Sequence, residues 1–436
     1  MLKNTFKILG LVSGLSLAAG PAVAEVSPET AYVFNTFLFL VCGFLVMFMA
    51  AGFAMLESGM VRSKNVATIC LKNISLFSIA GLMYWLVGYN LMYGIEEGGY
   101  IGELFSIWSA DDSAIAGEAP DFSGGYAAGS DWYFQMVFCA TTASIVSGTI
   151  AERMKLWPFL IFTLFLTGFI YPIVGSWEWG TGWLDAMGFS DFAGSTLVHS
   201  TGGWAALAGA IVLGARAGKY GPNGEVTPIP GSSMPLATLG TFVLWLGWFG
   251  FNGGSQLALG SGADAAAISN IFINTNMAAA AGVVAAMIAS NALYGKIDLT
   301  MALNGAIGGL VSITAEPLTP SIPAAAFIGA VGGVLVVLAV PLLDKMKVDD
   351  VVGAIPAHLV CGIWGTMIVP LTNNDASYGV QGIGVISVGI FTMVASGILW
   401  SALKATVGIR VEDDGELLGL DKSELGIEAY PEFSRT

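Results

Sequence analysis

Runs of about 20 predominantly apolar residues recur along the whole chain, and this one feature decides its fold class. They fall at 32–56, 66–93, 132–150, 157–174, 195–215, 234–252, 266–293, 299–314, 324–343, 352–371 and 383–403. Most are long enough to cross a ~30 Å hydrocarbon core as a helix. Lipid offers no partner to an exposed peptide group, so only helices and closed barrels can span it. A barrel needs short alternating strands, and these runs do not alternate. Charged residues make up 11% of the chain, against roughly 25% in soluble domains. The sequence predicts an all-α membrane protein of eleven transmembrane helices.

Residues 1–24 read as a secretory signal: Lys3 and Lys7 precede a short apolar stretch that ends in Ala22-Val23-Ala24. An uncleaved first helix is the alternative. Cleavage leaves the mature amino terminus outside, a transmembrane domain over 25–406 and a cytoplasmic tail over 407–436. With that start, Arg62, Lys64, Arg153, Lys155, Arg216, Lys219, Lys296, Lys345, Lys347, Lys404, Arg410, Lys422 and Arg435 all fall on the cytoplasmic side, as the positive-inside rule requires. The loop after the second run carries Glu96, Glu97, Glu103, Asp111, Asp112, Glu118 and Asp121 and no base. The expected location is the inner (plasma) membrane, multi-pass. Lys72 lies within the second run, where its stem is expected to snorkel to the interface or its amine to pair with a neighbour. The net charge of -15 repels nucleic acid. Cys42, Cys70, Cys139 and Cys361 lack metal-ligand spacing and read as small buried hydrophobes.

The chain has only two histidines, and both lie in apolar runs. DFAGSTLVHSTGGW and DVVGAIPAHLVCGIW share a spacing: Asp191 and Asp350 stand eight residues before His199 and His358. Gly194 and Gly353 follow the acids, and Gly203 and Gly362 follow the histidines. The two segments are five helices apart, so a five-plus-five repeat enters the membrane from opposite sides and brings both histidines to mid-depth at the repeat interface. Read as helix, eight residues rise about 12 Å, placing Asp191 near the outer surface and Asp350 near the inner one. An intramembrane ionisable residue is by default a functional hypothesis. The plainer alternative is a pair of helix-tying hydrogen bonds worth about 1 kcal/mol each. Desolvation favours neutral imidazoles, which can share one N–H and keep a nitrogen free for a small solute.

These residues resemble the ammonium transporters, the family of Amt, Mep and Rh proteins, and in particular its bacterial Amt type. The similarity runs through LESGMVRSKN, FQMVFCATTASIVSGTIAER, DFAGSTLVHSTGG, GWFGFNGGS, HLVCGIWG and a GLDKSELGIEAYP tail, in that order. The resemblance implies a homotrimer for nitrogen uptake, with a pore through each protomer. Carried over by motif, Trp179, Ser255 and Phe138 are similar to an outer recruitment site, and Phe138 and Phe251 to two stacked gate rings. His199 and His358 are similar to twin pore histidines, and Trp248 to a tryptophan lining the lower pore. Asp191 is similar to an acid needed below the outer vestibule, as a structural cap or a proton acceptor. Leu425 and Ile427 depart from the family's tail pattern, which bears on docking of a PII-type regulatory protein.

The implied activity is recruitment of ammonium outside, its deprotonation, and conduction of ammonia past the histidines, with a separate relay for the proton. The alternative is an ammonium sensor signalling through a cytoplasmic partner. An intramembrane hydrolase is disfavoured, because the chain has no HExxH and no Ser or Cys nucleophile plainly paired with a histidine. The reading therefore expects no enzyme, no cofactor and no metal.

Overall fold

The computed structural model describes residues 26–110 and 113–433. The expected signal segment lies outside these residues, as do Asp111, Asp112 and Arg435. The described chain is helical, and no strand occurs in it. The membrane-crossing elements are α1 (Pro28–Met60), α2 (Ser63–Tyr93), α3 (Ala128–Thr149), α4 (Leu156–Ser176), α5 (Ser195–Leu213), α6 (Met234–Gly254), α7 (Gly262–Tyr294), α8 (Leu299–Thr314), α9 (Ile322–Lys345), α10 (Ile355–Leu371) and α11 (Tyr378–Thr406). They match the eleven apolar runs to within several residues at each end. Eight are long and apolar enough to be spans by those criteria alone. The helix α3 is not one of them, because its Thr, Ser and Gln side chains lower its hydropathy, and it is nearly wholly buried among its neighbours.

Short polar side chains set where several helices start. Ser27, Ser233, Ser261 and Ser377 accept backbone N–H bonds at the starts of α1, α6, α7 and α11, and Asp298 does so for α8. Each satisfies donors that have no partner within the helix. Inside the bundle, α1 and α6 touch backbone to backbone. A Cβ on Gly240 would fall 2.2 Å from the Leu56 nitrogen, and one on Gly59 would fall 2.4 Å from the Ala237 nitrogen. Small residues permit this closeness, and packing rather than hydrophobicity then holds membrane helices together.

The lipid-side faces are apolar: Phe37, Phe44 and Phe48 on α1 and Ile386, Ile390 and Ile398 on α11 are exposed. Cys70 is exposed too, which corrects its assignment as a buried hydrophobe; the other three cysteines are buried. In a membrane helix the outward face is as apolar as the inward one, so hydropathy does not tell them apart. Lys72 does not snorkel. It is 1% exposed and donates to the Ser147 carbonyl at 2.8 Å, with its ammonium over the Phe159 ring.

The inverted repeat is visible where α5 and α10 begin. Each is preceded by an Asp and a glycine in the left-handed region, Gly194 (φ 103°) and Gly353 (φ 79°), and each opens with π-helical turns, Ser195–Ser200 and Ile355–Val360. Such turns are rare and frequently mark functional sites. They also correct the expected spacing. Asp191 stands outside the helix, and His199 is only four residues into it, a rise of about 6 Å. Asp191 therefore does not share a helix with the histidine; it caps the start of that helix from outside, and it is 0% exposed.

On the side rich in basic residues the tail folds back over the ends of the helices. Asp421 accepts from the Ala67 and Thr68 nitrogens at 2.9 and 2.7 Å, capping the second helix. Glu416 pairs with Arg410 and accepts from the Ala217 nitrogen. Of the two departures in the tail, Leu425 packs against the core and Ile427 is exposed.

Candidate functional site

The site is a column that runs from one face of the bundle to the other. At the end away from the tail a cavity of about 550 Å³ is lined by Tyr89, Tyr93, Asp131, Phe138, Glu178, Trp179 and Ser255, among others. Trp179 is fixed by its indole N–H, which donates to the Asp191 carbonyl at 3.1 Å. Ser255 caps the end of α6, and its hydroxyl donates to the Phe251 carbonyl at 2.9 Å. That bond uses the one hydroxyl proton and leaves the oxygen with acceptor capacity toward the cavity.

Below this cavity the rings close up. Trp179 meets Phe138 edge-on with centroids 6.1 Å apart, and Phe138 stacks on Phe251 at 3.8 Å. The His199 ring follows at 5.2 Å from Phe251. The two imidazoles lie 5.2 Å apart between centroids, and their Nδ1 atoms are 3.2 Å apart. At that distance one proton serves both nitrogens, so one Nδ1 donates and the other accepts. The His199 Nε2 has no hydrogen-bond partner among the described residues, although it is buried. Trp248, expected lower in the pore, stacks on His199 itself at 4.8 Å, held by its N–H to the Thr314 hydroxyl at 2.8 Å.

Asp191 sets the geometry of this column. Its Oδ1 accepts from the Gly194 and Ser195 nitrogens at 3.1 and 2.7 Å, and its Oδ2 from those of Thr196 and Leu197 at 2.8 and 2.9 Å. Burial pushes its carboxyl up to about 6 against the opposing pull of these four donors. Beyond His358 a small cavity of about 10 Å³ is lined by Phe53, Glu57, Asn304, Val352 and His358, among others. This is room for about one water-sized molecule. Asn304 and Val352 also line a wider vestibule of about 410 Å³ at the tail end of the column, which reaches Asp350.

All eight expected site residues therefore fall on this path or, in the case of Asp191, at its wall. Sequence reasoning missed Glu178, whose Oε1 accepts from the Asp191 nitrogen at 2.7 Å while Oε2 is buried with no partner among the described residues. Burial, and then the charge of Asp191, pushes the Glu178 carboxyl well above the usual range. Its signal was an acid beside Trp179 in GSWEWGTGW. Also missed was Tyr89, which donates to Asp131 at 2.5 Å in the vestibule wall. No cluster of residues suited to a metal ion occurs among the described residues.

Known proteins carry the same arrangement of helices. The Amt2 ammonium transporter of Archaeoglobus fulgidus is 40% identical over 426 residues, spanning 90% of this chain and 87% of that protein. The Amt1 ammonium transporter of Haloferax mediterranei is 38% identical, over 90% of this chain and 78% of its own. Among solved structures, a sensor Amt protein superposes with a TM-score of 0.84 at 36% identity, covering 92% of this chain and 100% of that one. Candida albicans Mep2 superposes with 0.79 at 27% identity, over 94% and 93%. Residues 37–430 match the Ammonium Transporter Family. A multi-pass membrane chain with this fold and these relatives belongs to that family, which is one of transporters.

Proposed function

We propose that the chain recruits ammonium in the outer vestibule, separates it from a proton there, and conducts ammonia along the column of Phe138, Phe251, His199 and His358. The observation that carries this reading is the ring-lined column that ends on two imidazoles with their Nδ1 atoms 3.2 Å apart. An ammonium-sized ion entering a low-dielectric core unpaired faces an idealised cost of order 20 kcal/mol, whereas a neutral hydrogen-bonding solute faces only several. Deprotonation before the gate rings follows from that difference.

The vestibule suits the cation. An indole face attracts it by about 2 kcal/mol when partly desolvated, and the Ser255 oxygen accepts one of its N–H bonds. Potassium shares the first attraction but donates no hydrogen bond and has no proton to lose. Asp191 acts chiefly as the structural cap, since each of its oxygens is already engaged twice; a role as proton acceptor is the alternative. The proton crosses separately, by a relay that includes the shared imidazole proton. The protein works as a homotrimer in the inner membrane, with its mature amino terminus outside, its tail in the cytoplasm and that tail open to a PII-type protein. Residues 1–24 serve as its signal.

The test is flux. Purified protein in liposomes, pulsed with ammonium and then with potassium, should pass the first and reject the second. Flux equal to that of protein-free liposomes would sink the reading. A sensor is the second reading, favoured by the likeness to a solved sensor Amt protein and by the tail's ties to three cytoplasmic-side loops. It predicts ammonium binding with little flux.

A further inference from the structure

The inner half of the column holds an acid that the path described so far does not use. Glu57 lies on α1, one turn before its end, and is 1% exposed. It lines the small cavity on the far side of His358, so both residues border the same space. Its aliphatic stem crosses α3 at Gly148, where a Cβ would stand 3.4 Å from the Glu57 Cγ and 2.5 Å from Val352.

The two carboxyl oxygens differ. Oε2 accepts from the Ser147 hydroxyl at 2.8 Å and from the Asn73 amide at 3.3 Å. Oε1 is buried and has no hydrogen-bond partner among the described residues. A buried acceptor left unmatched costs about 1–3 kcal/mol, more for a charged group, so its persistence calls for a ligand or a function. The opposite charge stands close by without touching. Lys72 donates to the Ser147 carbonyl at 2.8 Å, so Ser147 joins the ammonium and the carboxyl through its two ends. Arg153 is the next charge beyond Lys72, and the other polar residues lining the cavity are Ser144 of α3, whose hydroxyl donates to the Ala140 carbonyl, Asn304 of α8 and His358 of α10. Two buried charges held near each other can exist as the ion pair or, after one proton moves, as two neutral groups.

We propose that Glu57 is the inner proton-exchange residue of the path: ammonia that has passed His358 takes the proton of its carboxyl, and the ammonium formed leaves through the inner vestibule. This rests on the reading of the column as an ammonia path. In the step, the carboxyl O–H bond breaks, ammonia's lone pair forms the new N–H bond, and the carboxylate left behind is stabilised by Ser147, Asn73 and the charge of Lys72. A water of the inner vestibule then gives a proton to the carboxylate and departs as hydroxide, which balances the charge of the ammonium released. The cavity admits about one molecule of this size, and Glu57 is the acid that borders it.

The experiment uses the full protein in liposomes, with ammonium-driven current recorded while the pH on the tail side is varied. In Glu57→Gln the current falls about a hundredfold and loses its dependence on that pH, because a general acid contributes on this scale; Glu57→Asp keeps the dependence at a reduced rate. A folded Glu57→Gln protein with wild-type current and wild-type pH profile overturns the proposal and leaves the ammonia path standing. A wild-type protein that passes no ammonium overturns both. Should Glu57→Gln fail to fold, Lys72→Met decides by the same measurement: the profile moves to higher pH if the exchange site is there, and an unmoved profile overturns it.

Discussion

The helices α5 and α10 begin with the same device and settle it differently. Asp191 takes four backbone N–H bonds from the residues three to six places on, and it is fully buried. Asp350 takes the Ile355 nitrogen at 2.7 Å and the Thr149 hydroxyl at 3.0 Å, and it borders the inner vestibule. The position that matches Leu197, six residues after the acid, is Pro356, which has no N–H to give. A repeated backbone thus carries one start that is sealed by its own peptide groups and another that leans on a neighbouring helix and on the vestibule. The sealed start stands beside the cavity that Trp179 lines. The open one borders the cavity at the opposite end of the column.

The largest test of this contrast is Asp191→Ala against Asp350→Ala. The first leaves four buried N–H groups without an acceptor, at a cost of about 3 kcal/mol or more. Thermal melting in detergent should drop sharply, and whatever folded protein remains should lose nearly all ammonium flux as the start of α5 moves away from Trp179. The second leaves fewer donors stranded, and water in the vestibule can serve them. Its loss of stability should be less than half as large. Equal losses would mean that the two starts are equivalent and that the difference in burial is incidental.

The histidine pair is the next way to break the comparison, since each start delivers one member. His199→Asp puts an anion at the meeting point of the two halves, where it draws in water and stabilises a cation. Potassium should then pass alongside ammonium. His199→Leu keeps the bulk, removes donor and acceptor, and should reduce ammonium flux about tenfold or more without a potassium leak. Both fluxes are read in the same liposomes with equal amounts of folded protein. Wild-type fluxes in both variants would leave the imidazoles as mere ties between helices.

Much of this was legible in the sequence, for reasons that differ by residue. Apolar runs gave the eleven crossings because lipid enforces one backbone solution. The Asp-to-His spacing gave the repeat and the apolar run gave the start at Ser195, yet nothing in DFAGSTLVHS announces that the helix opens with a π-helical turn. Glu178 and Glu57 stood in quoted motifs and went unread, since an acid beside an aromatic or at a helix end is ordinary in a soluble chain. What marks them is an oxygen buried without a partner, and only coordinates reveal that. Cys70 was misplaced because hydropathy cannot separate a lipid face from a core.

A smaller effect separates the two starts by pH. Next to Asp350, Asp349 binds Arg216 at 2.8 Å. Burial alone would raise its carboxyl, but the hydrogen bonds and charge of Arg216 and the charge of Arg153 overcome this and hold it at about 2. The unfolded value is about 3.9, so the contribution is full above about pH 4 and is lost as pH falls through 2. It amounts to about 2–3 kcal/mol at neutral pH. Melting of Asp349→Asn should therefore lie well below wild type at pH 7, and the gap should narrow between pH 4 and 2. A gap that does not change with pH would remove this pair from the account of how α10 is held.

The smallest expected effect isolates what Asp350 borrows from its neighbour. Thr149 ends α3, and its hydroxyl is the side-chain donor to Asp350 that has no counterpart at Asp191. Thr149→Val keeps the shape and deletes the bond, which in a membrane bundle is worth about 0.6 kcal/mol on average. The Ile355 nitrogen still holds the other oxygen, and Asp350 can take a vestibule water in place of the hydroxyl. Melting should fall slightly, and ammonium flux should stay within about twofold of wild type. The comparison sharpens when the same change is made together with Asp350→Ala: if the bond is all that Thr149 supplies, the second substitution should hide the first. Additive losses would show that Thr149 stabilises α3 on its own account, and the inner start would then rest on the Ile355 nitrogen and the Asp349–Arg216 pair alone.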